Sequence, residues 1–365
     1  MFSAEDHAFM ARALKLTENG RLTATPNPSV GCVIVKNGRI IGEGWHAKPG
    51  EGHAEVQALS RCEADPAGAT VYVTLEPCAH HGRTPPCAEA LIKAGVARVV
   101  AAIEDPYPLV AGKGLEMLRA ANIRSEAGLL ADEARRAHRG FLSRVTRGRP
   151  WVTVKLGASL DGRTALKNGA SRWITSAEAR RDVHALRARS CAVLTGIGTV
   201  LADNPALTVR DVPCTRQPLK VLLDSRLEVA DDAKLLDGGN ALIVTATGDE
   251  GRVVALRGRG IRVERVATES IKGKVDLAVM MQALGKQGLN EVMVETGGRL
   301  NGSLIQAGVV DEIVTYVAPS LLGDLSLGMF AFGELTDLAN RTQLRFTDVR
   351  SIGPDIRITA TVETR

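Results

Sequence analysis

Apolar positions near the start of the chain recur three and four residues apart. This period predicts a helix that Ser3 caps and that Asn19-Gly20 ends. The apolar face of this helix would contain Met10, Ala13, Leu14 and Thr17. Residues 32–36 and 39–42 are β-like runs, and Asn37-Gly38 between them is typical of a type I′ hairpin turn.

Short helical and extended patterns then alternate. Helices are predicted at residues 53–62 and 87–94, and strands at 70–74 and 98–102. Strands separated by helices favour a sheet that is covered on both faces. The first part of the chain is therefore predicted to be a three-layer α/β/α sandwich.

The sequence RVTRGRP, residues 144–150, interrupts this alternation, because it is basic, contains Gly and Pro and has no apolar period. We therefore expect two domains, residues 1–147 and 148–365. Strands in the second domain are predicted at 151–156, 192–195, 219–224, 241–245, 291–294 and 312–317. A helix is predicted at 176–189, opening with the capping box Thr175-Ser176-Ala177-Glu178. The result is two α/β domains in tandem.

Composition narrows the classes of function. The 46 basic residues exceed the 41 acidic ones by five, spread along the chain, whereas a nucleic-acid surface needs clustered Lys and Arg. No run approaches the roughly eighteen apolar residues of a membrane span, and the N-terminus is acidic where a signal peptide is basic. We expect a cytoplasmic protein that binds neither membrane nor nucleic acid. In a reducing compartment its six cysteines would be ligands or buried thiols rather than disulfides.

One group of residues has the composition of a catalytic zinc site. His53 begins a predicted helix, Cys78 follows a predicted strand, and Cys87 begins the next helix. Three protein ligands leave the fourth tetrahedral position free, as in catalytic zinc sites. The H-x-E and P-C pairs match zinc deaminases, in which the Glu is not a ligand. Zinc would activate water for attack on an amidine-like ring carbon, and Glu55 would carry the proton to the leaving amine.

Two other interpretations apply to the same residues. Cys78 and Cys87 are also the kind of residue found as buried thiols, and His53 is placed to cap a helix. A structural zinc site would need a fourth ligand, and none is evident. The combination with Glu55 and Pro77 favours the deaminase.

The spacing of the two cysteines identifies a narrower group. Eight residues separate them, and EPCAHHGRTPPC resembles the motif of the bifunctional riboflavin-biosynthesis deaminase/reductase family. TPNPSVGCVIV, GEGWH, HAEVQAL and EDPYPLVAGKG agree with the same family. The resemblance implies a cytidine-deaminase-like first domain. Its substrate would be 2,5-diamino-6-(5-phosphoribosylamino)pyrimidin-4(3H)-one, deaminated at C2 to the uracil.

The resemblance also implies contacts in the deaminase pocket. The residues expected to face the substrate are Asn27, His46, His80, Arg83, Thr84 and Asp105. The family usually reads D-P-N-P where this chain has Tyr107, which removes whatever contact that asparagine makes. Each of these side chains has a structural alternative; Asn27, for instance, lies between two prolines and is suited to a turn.

The second domain lacks a G-x-G-x-x-G fingerprint, so a Rossmann dehydrogenase has little support. Residues 195–199 (TGIGT) and 295–299 (ETGGR) are glycine turns between a predicted strand and a predicted helix, suited to phosphate. VKLGASLDGRTA, SRWIT, ARRDVHALRARS, TVLADNPALTVR and VETGGRLNGSL are similar to the reductase half of the same family. The resemblance implies a dihydrofolate-reductase-like fold and NADPH as hydride donor.

Matching these motifs assigns two sets of side chains by resemblance. The NADPH site would contain Gly157, Trp173, Thr199, Asp203, Ser225, Gly297, Gly298, Arg299, Leu300, Asn301, Gly302 and Ser303. The sugar-phosphate site would contain Ser171, Arg187, Leu207, Arg210 and Glu295. Lys155 and Glu295 are the candidate proton donors for reduction of the ribosyl group to ribityl. In the alternative, Lys155 binds phosphate and Glu295 orients hydroxyls.

Three rival functions follow from the same observations. A nucleic-acid base deaminase would share the zinc site but would need a basic groove rich in aromatic residues. An enzyme with one decayed half would keep a single activity. A zinc-stabilised scaffold would need a closed metal site. We expect the bifunctional enzyme, assembled as a homo-oligomer through its second domain.

Overall fold

The computed structural model describes residues 1–81, 85–266 and 273–363. The chain divides into two compact units, Met1–Gly148 and Arg149–Arg365. The last helix of the first unit continues to Arg147, and Gly148 ends it in the left-handed conformation. The sequence-based expectation of irregular structure throughout 144–150 was therefore wrong, since a basic amphipathic helix fills its first half.

The first unit alternates strands with helices. In the described residues its strands are β1 (Gly31–Lys36), β2 (Arg39–Trp45), β3 (Thr70–Val73), β4 (Arg98–Ala101) and β5 (Arg124–Ala127). Its helices are α1 (Ala4–Gly20), α2 (Ala54–Ser60), α3 (Cys87–Lys93), α4 (Lys113–Ala120), α5 (Ala131–Ala137) and α6 (Arg139–Arg147). Ser3 caps α1 in a capping box with Asp6. Leu14 of the predicted apolar face is half-buried against the core, and Leu16 is fully packed there as well.

The strands form one sheet in the order β2-β1-β3-β4-β5. β1 is antiparallel to β2 and β3, whereas β3, β4 and β5 are parallel. Asn37 and Gly38 both have positive φ, 52° and 74°, as a type I′ turn requires. The predicted hairpin is confirmed.

Side chains of alternate strand residues point to opposite faces of this sheet. Ile34, Val71 and Val99 pack with α2, α3 and α4 in one apolar cluster. Val33 and Tyr72 pack with α1, α5 and α6 in a second cluster. The sheet is thus the middle of three layers, and the predicted α/β/α sandwich is confirmed.

The second unit is larger and follows the same alternation. In the described residues its helices are α7 (Ala177–Arg189), α8 (Ile197–Asp203), α9 (Glu250–Gly258), α10 (Leu277–Lys286) and α11 (Gly298–Gln306). Its strands are β6 (Trp151–Ser159), β7 (Arg163–Ala165), β8 (Ala192–Gly196), β9 (Leu219–Leu223), β10 (Ala241–Thr245), β11 (Arg262–Arg265), β12 (Glu291–Val294), β13 (Glu312–Ala318), β14 (Leu327–Gly328), β15 (Leu344–Ile352) and β16 (Asp355–Val362).

Among the described strands of this unit, nine form a sheet in the order β11-β10-β9-β8-β12-β6-β13-β16-β15. β11 through β13 are parallel along this order, and the β15–β16 hairpin adds antiparallel strands at one edge. β7 and β14 pair separately. β8 and β10 carry near-continuous apolar runs, because both of their faces are buried.

Helix α7 begins one residue later than the predicted capping box requires. Ser176 is its N-cap, and the Ser176 hydroxyl accepts the N–H of Ala179. Glu178 therefore lies in the first turn, where its charge favours the helix dipole, but it is not the N3 residue of a box. The prediction of the helix was right, and that of the cap residue was wrong.

The cysteines are all free, in agreement with the expectation of no disulfide framework. Among the described helices, none is both long and apolar enough to span a bilayer.

Candidate metal centre and reductase cleft

Three elements bring the candidate metal ligands together. His53 precedes α2 as its N-cap residue, Cys78 lies in the loop after β3, and Cys87 is the first residue of α3. Although His53 occupies the N-cap position, its side chain makes no capping hydrogen bond. The alternative in which the His53 side chain serves to cap this helix was therefore wrong. β3 ends at the edge of the sheet where α2 and α3 begin, which is why residues distant in sequence meet there.

The ligand atoms lie within 4.8 Å of one another. The Nδ1 atom of His53 is 3.5 Å from Sγ of Cys78 and 3.3 Å from Sγ of Cys87. The N–H of Cys87 also donates to Sγ of Cys78 at 3.3 Å. Hydrogen bonds from Cys87 and His53 lower the pKa of Cys78, which favours the thiolate form that binds metals.

One imidazole and two thiolates are a donor set that zinc prefers. These three are the only candidate cluster of metal-ligating side chains that the described residues form. A site with three protein ligands has the composition of a catalytic centre rather than a closed structural one.

Glu55 lies in the first turn of α2, two residues after His53, and 3% of its surface is exposed. Burial raises the pKa of Glu55 to about 7. A carboxyl group with a pKa near neutrality can accept a proton and release it again at the working pH.

Asn27 and His46 lie together beside the metal ligands. The side-chain amide of Asn27 donates to Nε2 of His46 at 3.1 Å, and the His46 ring is 5.2 Å from the ring of His53. Burial lowers the pKa of His46, which keeps the imidazole neutral and able to accept this hydrogen bond.

Asp105 is buried after β4, and its Oδ1 accepts the N–H of Tyr107 at 2.9 Å. Burial raises the pKa of Asp105 to about 6. The ring of Tyr107 lies 6.1 Å from that of His80, so the residue in place of the family's asparagine neighbours a predicted substrate contact. Arg83 and Thr84, also predicted to contact the substrate, lie outside the described residues.

In the second unit, a cleft of about 1960 Å³ extends along the carboxyl ends of the parallel strands. The predicted cofactor residues that line it are Gly157, Trp173, Thr199, Asp203, Ser225, Gly297, Gly298, Arg299, Leu300 and Ser303. The predicted substrate residues Ser171, Arg187, Leu207, Arg210 and Glu295 line it as well, together with Lys155.

Asn301 and Gly302 are not among the residues that line the cleft, and their role as cofactor contacts stays a prediction. Asn301 is fully buried, and its amide donates to the carbonyl oxygens of Thr296 and Met329. A Cβ at position 302 would lie 2.1 Å from the carbonyl oxygen of Ala331. Both residues thus pack against the 329–331 segment, of which Phe330 and Ala331 line the cleft.

Glu295 is the centre of a charged cluster at the end of β12. Its Oε2 is 3.0 Å from Nζ of Lys155 and accepts from Nη2 of Arg187 at 3.0 Å, and its Oε1 accepts from Nε of Arg187 at 2.5 Å. Burial raises the pKa of Glu295, but the charges of Lys155 and Arg187 outweigh burial and hold it well below its usual range. Glu295 is thus ionised, so it accepts hydrogen bonds and does not donate them.

Sequence reasoning missed His184, which lies three residues before Arg187 on α7 and also lines the cleft. Its Nδ1 accepts the N–H of Arg210 at 3.3 Å, and its Nε2 is 3.2 Å from a carboxylate oxygen of Asp211. The spacing of three residues on a helix was the available signal, since such residues share a face.

Both glycine turns open helices, as predicted. Gly196 precedes α8 and Gly297 precedes α11. Gly297 has no side chain to cap α11, and a Cβ at this position would meet open space. The first amides of a helix carry a partial positive charge, which suits the phosphates of a dinucleotide.

Two family models match the chain. Residues 3–103 match the cytidine and deoxycytidylate deaminase zinc-binding region. Residues 150–358 match the RibD C-terminal domain. The riboflavin biosynthesis protein RibD of Escherichia coli is 48% identical over 364 residues, covering 96% of this chain and 98% of the relative. That of Haemophilus influenzae is 46% identical, covering 99% and 98%.

Two solved structures are similar to this chain over nearly its whole length. RibD of Acinetobacter baumannii is similar with a TM-score of 0.90 and 41% identity, covering 99% of both chains. A diaminohydroxyphosphoribosylaminopyrimidine deaminase/5-amino-6-(5-phosphoribosylamino)uracil reductase of Thermotoga maritima is similar with a TM-score of 0.86 and 31% identity, covering 98% and 99%.

Proposed function

Because the chain belongs to the RibD family of bifunctional riboflavin-biosynthesis enzymes, we propose that residues 1–147 carry its deaminase and residues 148–365 its reductase. The protein is a zinc-dependent hydrolase and an NADPH-dependent oxidoreductase. It deaminates 2,5-diamino-6-(5-phosphoribosylamino)pyrimidin-4(3H)-one to 5-amino-6-(5-phosphoribosylamino)uracil and then reduces the ribosyl group to ribityl. The observation that carries the deaminase assignment is the convergence of His53, Cys78 and Cys87 beside Glu55.

His53, Cys78 and Cys87 would hold the zinc ion. Zinc in such a site lowers the pKa of water toward 7 and so supplies a nucleophile for attack on C2 of the pyrimidine. Glu55 takes up the proton that this water loses and delivers it to the departing amine. Its buried position keeps bulk water from competing for that proton.

The substrate of the deaminase would lie against Asn27, His46, His80 and Asp105. The fixed Asn27–His46 hydrogen bond supports this, because it presents a neutral imidazole and a carboxamide at the edge of the metal site. Arg83 and Thr84 are proposed to bind the ribose phosphate, which is the role that the resemblance implies for them.

In the reductase, the cleft-lining cofactor residues would hold NADPH, with its phosphates at the N-terminus of α11. NADPH supplies the hydride. Arg187, Arg210, Ser171 and Leu207 would bind the sugar phosphate, with Glu295 fixing the guanidinium of Arg187. The volume of the cleft, about 1960 Å³, accommodates a dinucleotide and a second ligand together.

The proton for the reduced sugar comes, in this proposal, from Lys155. Of the two candidates, Glu295 is held ionised between two cations and has no proton to give. Lys155 lines the cleft from β6. This favours Lys155 over Glu295 as the donor.

We further propose a homo-oligomer formed through the second unit. β15 is an edge strand, and six of its nine residues are exposed. Phe346 and Val349 on this strand are 67% and 59% exposed. An open strand edge with apolar side chains is suited to pairing with a second copy. Light scattering at assay concentration is expected to show more than one chain per particle, and a monomer would contradict the proposal.

The protein is also proposed to act in the cytoplasm on a small molecule rather than on nucleic acid. A thiolate metal site and an NADPH-dependent reaction both suit a reducing compartment. The basic surplus of five charges is too small for a nucleic-acid surface.

A two-stage assay tests the whole assignment. Deamination of the diaminopyrimidinone substrate and then NADPH oxidation are followed with and without a zinc chelator. We expect chelation to abolish deamination and to leave reduction of the deaminated substrate intact. Loss of both activities on chelation would contradict two independent sites, and neither activity in zinc-replete protein would contradict the substrate.

A further inference from the structure

Glu76 lies two residues before the metal ligand Cys78, and only 4% of its surface is exposed. Its Oε2 accepts the N–H of Asp105 at 3.1 Å and that of Gly112 at 3.0 Å. A buried carboxylate needs partners that offset the loss of water. Here the partners are main-chain amides of the segment that follows β4.

The other oxygen of Glu76 reaches the start of α4. Oε1 accepts the N–H of Gly114 at 2.9 Å and that of Leu115 at 3.3 Å. The N-cap of this helix is Gly112, which has no side chain, so its first amides would lack an acceptor from their own segment. Glu76 therefore caps α4 from outside the helix, and its negative charge lies at the positive end of the dipole.

The main chain around Glu76 is held against the same segment. The N–H of Glu76 donates to the carbonyl oxygen of Ile103 at 3.0 Å. A Cβ at position 114 would lie 1.9 Å from the carbonyl oxygen of Pro77, so only glycine permits this approach. The loop with the metal ligand and the segment after β4 are thus packed in direct contact.

Asp105 is the residue through which this packing reaches the pocket. Its N–H is held by Glu76, and its own Oδ1 accepts the N–H of Tyr107. Tyr107 in turn lies beside His80. Glu76 therefore holds the main chain of Asp105, and the amide of Tyr107 holds its side chain.

We propose that Glu76 is a positioning residue for the deaminase: it sets the segment from Asp105 to Tyr107 against the metal site and thereby governs binding of the pyrimidine. This rests on the proposed deaminase site. Glu76 accepts four main-chain amides and has no proposed contact with the reacting atoms, so its effect is on substrate affinity through Asp105.

The test is Glu76→Gln in the full-length zinc enzyme. The substituted amide places an N–H₂ group against two main-chain N–H donors, while the shape of the side chain stays the same. We expect the deaminase KM to rise about tenfold or more, the effect of leaving buried amides without an acceptor. The deaminase kcat, the zinc content and the reductase kinetics should stay near those of the wild type.

Asp6→Asn is the matched control. Asp6 is also a buried carboxylate of the first unit and accepts a main-chain amide, that of Ser3, but it belongs to α1 on the other face of the sheet. This variant should lose stability with no change in KM. A Glu76→Gln enzyme that loses stability with no change in KM would overturn the proposal. A Glu76→Gln enzyme that loses activity because it loses zinc, and regains it when zinc is added, would overturn it as well.

Hydrogen exchange in the wild type gives a result that does not depend on the folding of a variant. Amides of the 104–115 segment should be protected and should exchange more slowly still with the deaminated product bound. Exchange that product leaves unchanged would overturn the proposal. Failure of the proposed function would instead appear as a wild type that does not deaminate.

Discussion

Arg187 and Glu295 lie 108 residues apart in the sequence and form a two-bond ion pair at 2.5 and 3.0 Å in the reductase cleft. Nη1 of Arg187 donates a hydrogen bond to the carbonyl oxygen of Thr208 at 2.9 Å. Arg187 is therefore fixed before any ligand binds. An arginine held in this way presents its charge to an anionic sugar phosphate with little loss of conformational entropy.

Glu295→Gln should weaken the reductase. The change removes the charge that separates Lys155 from Arg187 and breaks a buried pair. Such a break commonly costs several kcal/mol, so we expect kcat/KM for the ribosyl substrate to fall about 100-fold. Steady-state NADPH oxidation measures this.

Asp311→Asn is the control for that variant. Asp311 forms a two-bond ion pair with Arg149 at 2.7 and 2.9 Å in the same unit, and neither residue lines the cleft. Its loss should lower stability and leave kcat/KM unchanged. Equal kinetic losses in the two variants would contradict a specific role for Glu295.

Lys155 can be tested by keeping its charge while removing its ability to release a proton. Arginine stays protonated at all accessible pH values, so Lys155→Arg should lose kcat as completely as Lys155→Met. Both variants should still bind NADPH, measured by fluorescence titration. A Lys155→Arg enzyme that keeps most of its kcat would show that only the positive charge is needed.

Glu55→Gln should abolish deamination and leave zinc bound. The side chain keeps its shape but cannot move a proton, and general acid–base catalysis commonly contributes about 100- to 10,000-fold. Zinc content by atomic absorption and reduction of the deaminated substrate are the internal controls. A deaminase rate close to that of the wild type would remove Glu55 from the mechanism.

Asp6 allows a prediction about stability and pH. A hydrogen bond from Arg98 holds the pKa of Asp6 well below its usual range, although burial opposes this. Because the folded-state pKa is the lower one, the pair stabilises the fold above about pH 4 and loses that contribution as pH falls toward the folded-state pKa.

Asp6→Asn should accordingly lower the free energy of unfolding at pH 7 by about 3 kcal/mol. The difference from the wild type should shrink below pH 4. Urea unfolding of the wild type and the variant at both pH values measures this. A difference that is the same at pH 3 and pH 7 would contradict the assigned pairing.

Local patterns were sufficient for several elements. The Asn37-Gly38 turn requires positive φ at both positions, and few other pairs of residues adopt it, so the hairpin could be predicted. β8 and β10 of the second unit were recognisable because both their faces are buried and their apolar runs are continuous, whereas the parallel edge strand β11, with the sequence RVER, was not predicted. α7 was recognisable from its capping residues, although its N-cap is Ser176 rather than Thr175.

Other elements had no such pattern. β15 is exposed along most of its length, so its residues do not alternate between apolar and polar. α5 and α6 are short and rich in arginine and could not be distinguished from a linker. Their helical state depends on packing against the sheet, which no local window of sequence contains.

The sequence by itself determined the identity of the chemistry: one histidine, two cysteines and a glutamate with deaminase spacing, and two glycine turns that open helices. Residue types and short-range spacing carry that information, because ligand chemistry and turn geometry are local properties. The tertiary structure alone decided which charges meet. It paired Glu295 with Lys155 and Arg187, packed Asn301 against Thr296 and Met329, and brought four main-chain amides of the 105–115 segment to Glu76. These relations depend on the order and register of strands far apart in the chain, which only the folded sheet brings together.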